Sequence, residues 1–363
     1  MPHSQLIISR SNLLNNYNFF RSKLSPSVKL LALVKANAYG HGDIEVSRLL
    51  EDFGADYLGV AFPCEGVRLK QNGIRLPILV LTPGYNNFED IVNHNLEPSI
   101  TDLESLKFFA DTLKLSGKKS YPIHIKIDSG MHRVGYSYEI IPELARFLNE
   151  NRNIVVKSVF SHLAAADENR HDEFTLSQIK YFEKNYNLVT TLLGYKPIKH
   201  ILNSSGIERF TQYQFDMVRL GVGLYGTSYV DESNLKPAAS LVAPVVQVKT
   251  VDEGTVGYGR RGELGGSSRK IATIPLGYAD GIDRHFSRGN AKFMINGQLA
   301  PTIGNICMDM FMLDVTGIDV KAGDLVTIFG EKPTAGDLAA IRGTISYEIY
   351  TSVSARVQRV VGE

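Results

Sequence analysis

The chain has 363 residues, 44% of them hydrophobic and 21% charged, with 39 Lys and Arg against 38 Asp and Glu. That balance excludes a disordered or collagen-like chain, and a formal net charge of +1 offers no overall basic excess for nucleic acid or an anionic membrane. No run is apolar for the roughly 18–20 residues of a membrane helix, MPHSQLIISRSN lacks the pattern of a signal peptide, and Cys64 and Cys307 form no metal-type pair, so a cytoplasmic protein is expected.

In chain order, QLIIS at 5–9 comes first as a strand-like run; it is read as an extra strand that pairs with the later, β-rich part of the chain. Eight short apolar runs follow: VKLLALVK (28–35), ADYLGVAF (55–62), LPILVLTP (76–83), LEPSI (96–100), YPIHIKID (121–128), IVVKSVFSHL (154–163), IKHILNSSG (198–206) and MVRLGVGLYG (217–226). Most are nearly continuous in Val, Ile and Leu, the mark of parallel strands covered on both faces. Helical spacing separates them. In 43–54, Ile44, Val46, Leu49, Leu50 and Phe53 share a face ahead of Gly54. In 101–117, Thr101 and Glu104 read as a capping box, and 171–194 reads as a longer helix. Eight strands alternating with helices predict an N-terminal (β/α)8 TIM-type barrel over 1–233.

From 234 to 363 the texture changes to a smaller, mostly β domain. VVQVKTV, RKIATIPLG, AKFMINGQ, FMLDVT, DLVTIFG, ISYEIY and ARVQRVV read as short strands divided by Gly, Asp and Asn turns, with SNLKPAAS (233–240) as the link.

In a barrel the reacting groups gather where strands end and loops begin. Lys35 closes the first barrel run. It either reaches into the mouth, where desolvation favours a neutral, nucleophilic amine, or leaves the strand for solvent. RLGVGLYG (219–226) offers backbone N–H groups to a phosphate beside Ser204, though a GxG pair also serves ordinary turns. His162 is a strand-end histidine that alone reads as a hydrogen-bonded core residue. Asp128 and Arg133 read as a surface ion pair. The nine histidines include no HExxH pattern, and no GxSxG elbow or P-loop is present, so no metal is expected.

Taken together, the segments are more specific. VKANAYGHG (34–42), HIKIDSGMHRVG (124–135), FSHLAAAD (160–167), NSSG (203–206), MVRLGVGLYG (217–226), VGYG (256–259), PLGYADG (275–281), GNICMDM (304–310) and ISYE (345–348) form an ordered series that resembles the alanine racemases. The resemblance implies interconversion of L- and D-alanine with pyridoxal 5'-phosphate, supplying D-alanine for peptidoglycan. By it, Lys35 would hold the cofactor as a Schiff base, with its phosphate gripped by Tyr39, Ser204, the N–H groups of Gly221 and Val222, and Tyr347. Arg219 would face the pyridine nitrogen, in a network with His162 and Asn203. Lys35 and Tyr258 would be the two bases, Tyr258 reaching in from the partner of a homodimer. Arg133 and the Met308 N–H would receive the substrate carboxylate, Tyr278 would narrow the access path, and Lys126 matches a lysine that many members carry carbamylated.

Three rivals share parts of this pattern. A serine or broad-spectrum racemase would use the same Lys and Tyr machinery. A two-domain decarboxylase would place a carboxylate where Arg219 stands. A single-barrel pyridoxal-phosphate-binding protein would lack Tyr258, Tyr278 and Met308 altogether.

Overall fold

The computed structural model describes residues 4–363; residues 1–3, the start of MPHSQLIISRSN, lie outside the described residues. Strand β1 (Gln5–Ser9) precedes a closed parallel barrel of β2 (Lys29–Leu33), β3 (Tyr57–Val60), β4 (Ile78–Val80), β5 (Glu97–Ile100), β6 (Tyr121–Lys126), β7 (Ile154–Phe160), β8 (Ile198–His200) and β9 (Met217–Leu220). Each of the eight apolar runs contains one barrel strand, in order. Leu30, Leu31, Leu58, Ile78, Leu79, Ile100, Ile123, Ile125, Val159 and Val218 are all fully buried, as double-sided coverage by helices requires. The mostly β remainder follows the barrel.

Two helices show how local chemistry sets the ends. Asp43–Phe53 stops at Gly54, which adopts φ 83, the left-handed conformation glycine takes without a side-chain penalty. Leu103–Ser116 corrects the expected capping box. The cap is Asp102, whose carboxylate accepts the Ser105 N–H at 2.7 Å, while the Thr101 hydroxyl donates to that same carboxylate at 3.0 Å. A carboxylate also suits the positive end of the helix dipole.

The second region holds β10 (Ala239–Pro244), β11 (Gln247–Val251), β12 (Thr255–Val256), β13 (Gly262–Glu263), β14 (Arg269–Ile274), β15 (Lys292–Ile295), β16 (Gln298–Pro301), β17 (Phe311–Asp314), β18 (Leu325–Phe329) and β19 (Gln358–Gly362). Its larger sheet runs β16-β15-β18-β10-β1-β19, and β11-β14-β17 make a second. Strand β1 lies inside the larger sheet, antiparallel to β10 and parallel to β19. Its neighbouring inward residues divide their loyalties: Leu6 packs in the core of the β region and Ile8 in that of the barrel. The chain's first strand therefore ties the two cores together.

One expected strand is a helix. All of ISYEIY after Ile345 lies in the helix Ser346–Ser352, which buries Ser346, Ile349 and Tyr350 at helical spacing. Its β-branched and aromatic composition suits a strand, but the buried face obeys a period of 3.6. A second helix, Ala335–Arg342, went unexpected. No described helix is long and apolar enough to cross a membrane.

The helix Arg10–Ser22 seals the barrel strand junction through Phe20, which is fully buried with its ring against Gly223. Phe20→Ala should lower unfolding free energy by about 3–5 kcal/mol, the cost of an aromatic-sized core cavity. Urea denaturation should show a reduced midpoint at unchanged slope; a midpoint equal to wild type would refute this packing.

Candidate active site

Lys35 stands just beyond β2, at the barrel mouth. Burial, helped by the positive charge of Arg133 and opposed by Glu65, holds its amine below the usual lysine range. The four residues after it are unusual: Ala36, Asn37, Ala38 and Tyr39 all have φ between 52 and 55. A left-handed turn of non-glycine residues costs about 1–2 kcal/mol at each position, so outside contacts must hold it. They come from both halves of the molecule. Glu65 accepts the Ala36 N–H at 2.6 Å, the Asn37 side chain accepts the Asp43 N–H at 3.0 Å, and Arg359 donates twice to the Gly40 carbonyl, at 3.0 and 2.9 Å. At Gly40, with φ 83, a Cβ would fall 2.0 Å from the Tyr350 carbonyl oxygen. Only glycine fits there.

The turn delivers Tyr39 between Tyr225 and Tyr347, with ring centroids 4.9 and 5.7 Å away. Tyr347 comes from the helix Ser346–Ser352, so the β region supplies one wall of the mouth. Opposite them, Ser204 opens a short helix capped by Asn203, whose side chain accepts the Gly206 N–H at 2.9 Å. The Ser204 hydroxyl accepts the N–H groups of Gly221 and Gly223, at 3.0 and 3.4 Å. A Cβ on Gly221 would sit 3.0 Å from the Tyr39 hydroxyl and 3.3 Å from Leu33. Hydroxyls and bare backbone thus converge on a space that a side chain would fill. That donor set, ending β8 and β9, fits a phosphate group. Two details differ from expectation. The Gly221 N–H is engaged by Ser204, and Asn203 bonds to Gly206 and Leu163, not to His162 or Arg219. Val222, next along, is buried at the start of the 3-10 turn Val222–Tyr225.

Arg219 is a deeply buried charge, 3% exposed. Its Nη1 donates to His200 Nδ1 at 2.7 Å; Nη2 donates to the carbonyls of Ser161 and Ile201 at 2.5 and 2.9 Å and approaches His162 Nδ1 at 3.3 Å. Burial draws its pKa down to about 9, which still leaves a cation at neutral pH. Burial and the neighbouring cations Arg219, Lys126, Arg133 and Lys35 hold His162 neutral. Lys126, at the end of β6, is buried too; desolvation and Arg219 bring its pKa to about 7. Its Nζ donates to the Ile127 carbonyl at 3.2 Å and lies over the Phe160 ring. Arg133 is exposed on the loop after β6. The surface pair expected for Asp128 is corrected: its carboxylate engages the N–H groups of Gly130 and His132 and the His132 ring, and Arg133 is left free of it. Among the described residues no cluster of His, Cys, Asp and Glu is arranged to hold a metal.

Tyr258, Tyr278 and Met308 do not join this group within the chain. They line a separate cavity of about 450 Å³ in the β region together with Arg284, Asn305 and Met310, and no barrel residue contributes to it. Tyr258 is 74% exposed, on a turn held by an Asn305 side-chain bond to its carbonyl at 3.1 Å. Tyr278 and Met308 are held together by backbone bonds between their loops, Tyr278 N–H to the Cys307 carbonyl and Ala279 N–H to the Met308 carbonyl, each 3.0 Å.

Residues not singled out from sequence complete the mouth. Glu65 and Arg359 clamp the left-handed turn, Tyr225 donates to the Leu33 carbonyl at 2.8 Å, and His200 backs Arg219. His200 was legible as a polar residue closing IKH; Arg359 gave no local signal, because its partner lies 319 residues away.

Comparison with known proteins follows the same outline. Residues 8–229 match the alanine racemase N-terminal domain model and residues 238–361 the C-terminal domain model. The alanine racemase of Clostridium kluyveri is 37% identical, covering 97% of this chain and 92% of its own. That of Methanococcus maripaludis is 38% identical, over 97% of both chains. The solved alanine racemase of Clostridium difficile superposes with a TM-score of 0.92 at 36% identity, covering all of this chain and 96% of that one. With both domains matched and relatives aligned over nearly its whole length, this chain belongs to the alanine racemase family of pyridoxal-phosphate-dependent amino-acid isomerases.

Proposed function

We propose that the protein interconverts L- and D-alanine in the cytoplasm, supplying D-alanine for peptidoglycan, with each active site completed by a second copy of the chain in a homodimer. One observation carries the reading. The mouth gathers Lys35, Arg219 and a cradle of hydroxyls and bare backbone, whereas Tyr258, Tyr278 and Met308 stand exposed around a separate cavity of the same chain.

Pyridoxal phosphate, when bound, supplies an electron-withdrawing ring that makes the substrate Cα proton removable. Lys35 is the residue to hold it, with Tyr39, Ser204, Gly221, Val222 and Tyr347 around the phosphate and Arg219 toward the ring nitrogen. The cation keeps its own proton, so Arg219 would offer that nitrogen a hydrogen bond without protonating it, which would restrain side reactions. Racemisation requires a proton to leave one face of Cα and arrive on the other. Lys35, freed as a neutral amine, takes or returns the proton on the D face, and Tyr258 of the other copy serves the L face. Arg133 and the Met308 N–H bind the substrate carboxylate, and Tyr278 narrows the way in. His162, kept neutral, adds no further charge beside the ring. The fully buried guanidinium at position 219 and the second region with Tyr258 disfavour a decarboxylase and a binding-only barrel.

Chiral chromatography of L-alanine, L-serine and L-lysine after incubation with holoenzyme tests the reaction. D-Alanine should form fastest, Lys35→Ala should abolish it, and Tyr258→Phe should cut it by about 100-fold or more while sparing α-deuterium exchange into D-alanine in D2O. Faster serine or lysine turnover would reassign the substrate; no conversion, with cofactor bound, would remove the reading.

Lys126 lies beside two arginines, and a neutral amine there can add CO2, releasing one proton and forming an anionic carbamate. Below about 7 the amine is protonated and inert; above it the free amine accumulates. A 13C carbamate resonance from labelled bicarbonate should therefore grow as pH rises through about 7 and be missing in Lys126→Ala. A signal that persists in the variant would exclude Lys126 as the site.

A further inference from the structure

Five consecutive barrel strands each contribute one polar side chain to a row through the barrel interior. These are Glu97 on β5, His124 on β6, Ser158 on β7, His200 on β8 and Arg219 on β9. His124, Ser158 and His200 are completely buried, Arg219 is 3% exposed and the Glu97 side chain 13% exposed. Neighbouring members touch. Glu97 Oε2 lies 2.8 Å from His124 Nε2, His124 Nδ1 2.6 Å from Ser158 Oγ, Ser158 Oγ 2.9 Å from His200 Nε2, and His200 Nδ1 2.7 Å from Arg219 Nη1. Glu97 begins its strand and Arg219 is near the end of its own, so the row climbs from the floor of the barrel to the mouth.

The chemistry of the two ends decides every proton between them. A guanidinium can only donate, so His200 Nδ1 carries a lone pair and its proton sits on Nε2. That proton is given to Ser158 Oγ. A carboxylate can only accept, so His124 donates from Nε2, and its Nδ1 is free to accept the Ser158 proton. All four hydrogen bonds then point the same way, from Arg219 to Glu97, with both imidazoles neutral. A second proton on His124 would aim two donors at Ser158 and leave the serine proton without a partner among these contacts. Buried groups left so are costly.

We infer that Glu97 is a positioning residue: it holds the His124 proton on Nε2, which leaves Nδ1 to take the Ser158 proton and Ser158 Oγ to accept from the His200 tautomer that Arg219 selects, so that the completed row holds Arg219 in place at the mouth. The carboxylate of Glu97 sits at the far end of four hydrogen bonds that all run from the buried guanidinium toward it. Among the described residues Arg219 Nε meets no protein acceptor, which leaves that donor for the bound ring. The role assigned to Arg219 rests on the proposed function; the proton order does not.

Two measurements on holoenzyme test it. Neutron diffraction from deuterium-exchanged crystals should place deuterium on Nε2 and not Nδ1 of both His124 and His200, and on Ser158 toward His124. Deuterium on His200 Nδ1, or on both His124 nitrogens, would overturn the assignment. Kinetically, Glu97→Gln keeps an acceptor and removes the charge, and Ser158→Ala cuts the row at its middle. Each should lower kcat for alanine about tenfold at little-changed KM, as loss of a charge-assisted hydrogen bond implies, and the double variant should be no slower than either single one. Multiplying effects would mean that the two residues act separately, and would defeat the proposal. A chain with the ordered protons that does not racemise alanine would lose the proposed function and keep the row.

Discussion

A guanidinium removed from water must be met by acceptors on every side, and the barrel interior is organised around meeting that demand for Arg219. Two carbonyls and two imidazole nitrogens surround its Nη atoms, and its guanidinium lies 5.3 Å from the Phe160 ring, on which the His200 ring stacks at 4.9 Å. Burial lowers the proton affinity of Lys126, His162 and His200, and the same buried charge lowers it further. Desolvation and one cation together act on a whole layer of side chains. Neutral histidines and a lysine near its titration point are the outcome.

The second constraint is mechanical. The left-handed turn after Lys35 is unfavourable on its own, and Arg359, Tyr350 and Tyr347 of the β region hold it against the barrel. Strand β1, shared between the two hydrophobic cores, prevents the regions from drifting apart. The β region therefore helps build this chain's own mouth, while its exposed Tyr258 lines a separate cavity. A fold that merely needed a barrel would have no use for either feature.

Much of this was legible from residue patterns. The barrel strands are continuous apolar runs, and Lys35, Lys126, Ser204 and Arg219 end or follow such runs, where barrel chemistry collects. Less legible was whatever depended on distant partners. ISYEIY has strand composition and becomes a helix because its buried face is decided by neighbours. Asp102 displaced Thr101 as a cap because the choice between adjacent side chains turns on backbone angles. Glu97, His124 and Ser158 carry no local signal, since a strand-to-strand row is invisible until the register of the barrel is known.

In the proposed mechanism Lys35 of one copy works opposite Tyr258 of another. The most direct test is complementation between Lys35→Ala and Tyr258→Phe chains, co-expressed so that subunits mix. Each variant alone should be nearly inactive. Random pairing makes half the dimers mixed, and each mixed dimer carries one intact site of two, so activity should return to about a quarter of wild type. Mixtures no more active than the separate variants would show that both groups act within one chain, and would contradict the account.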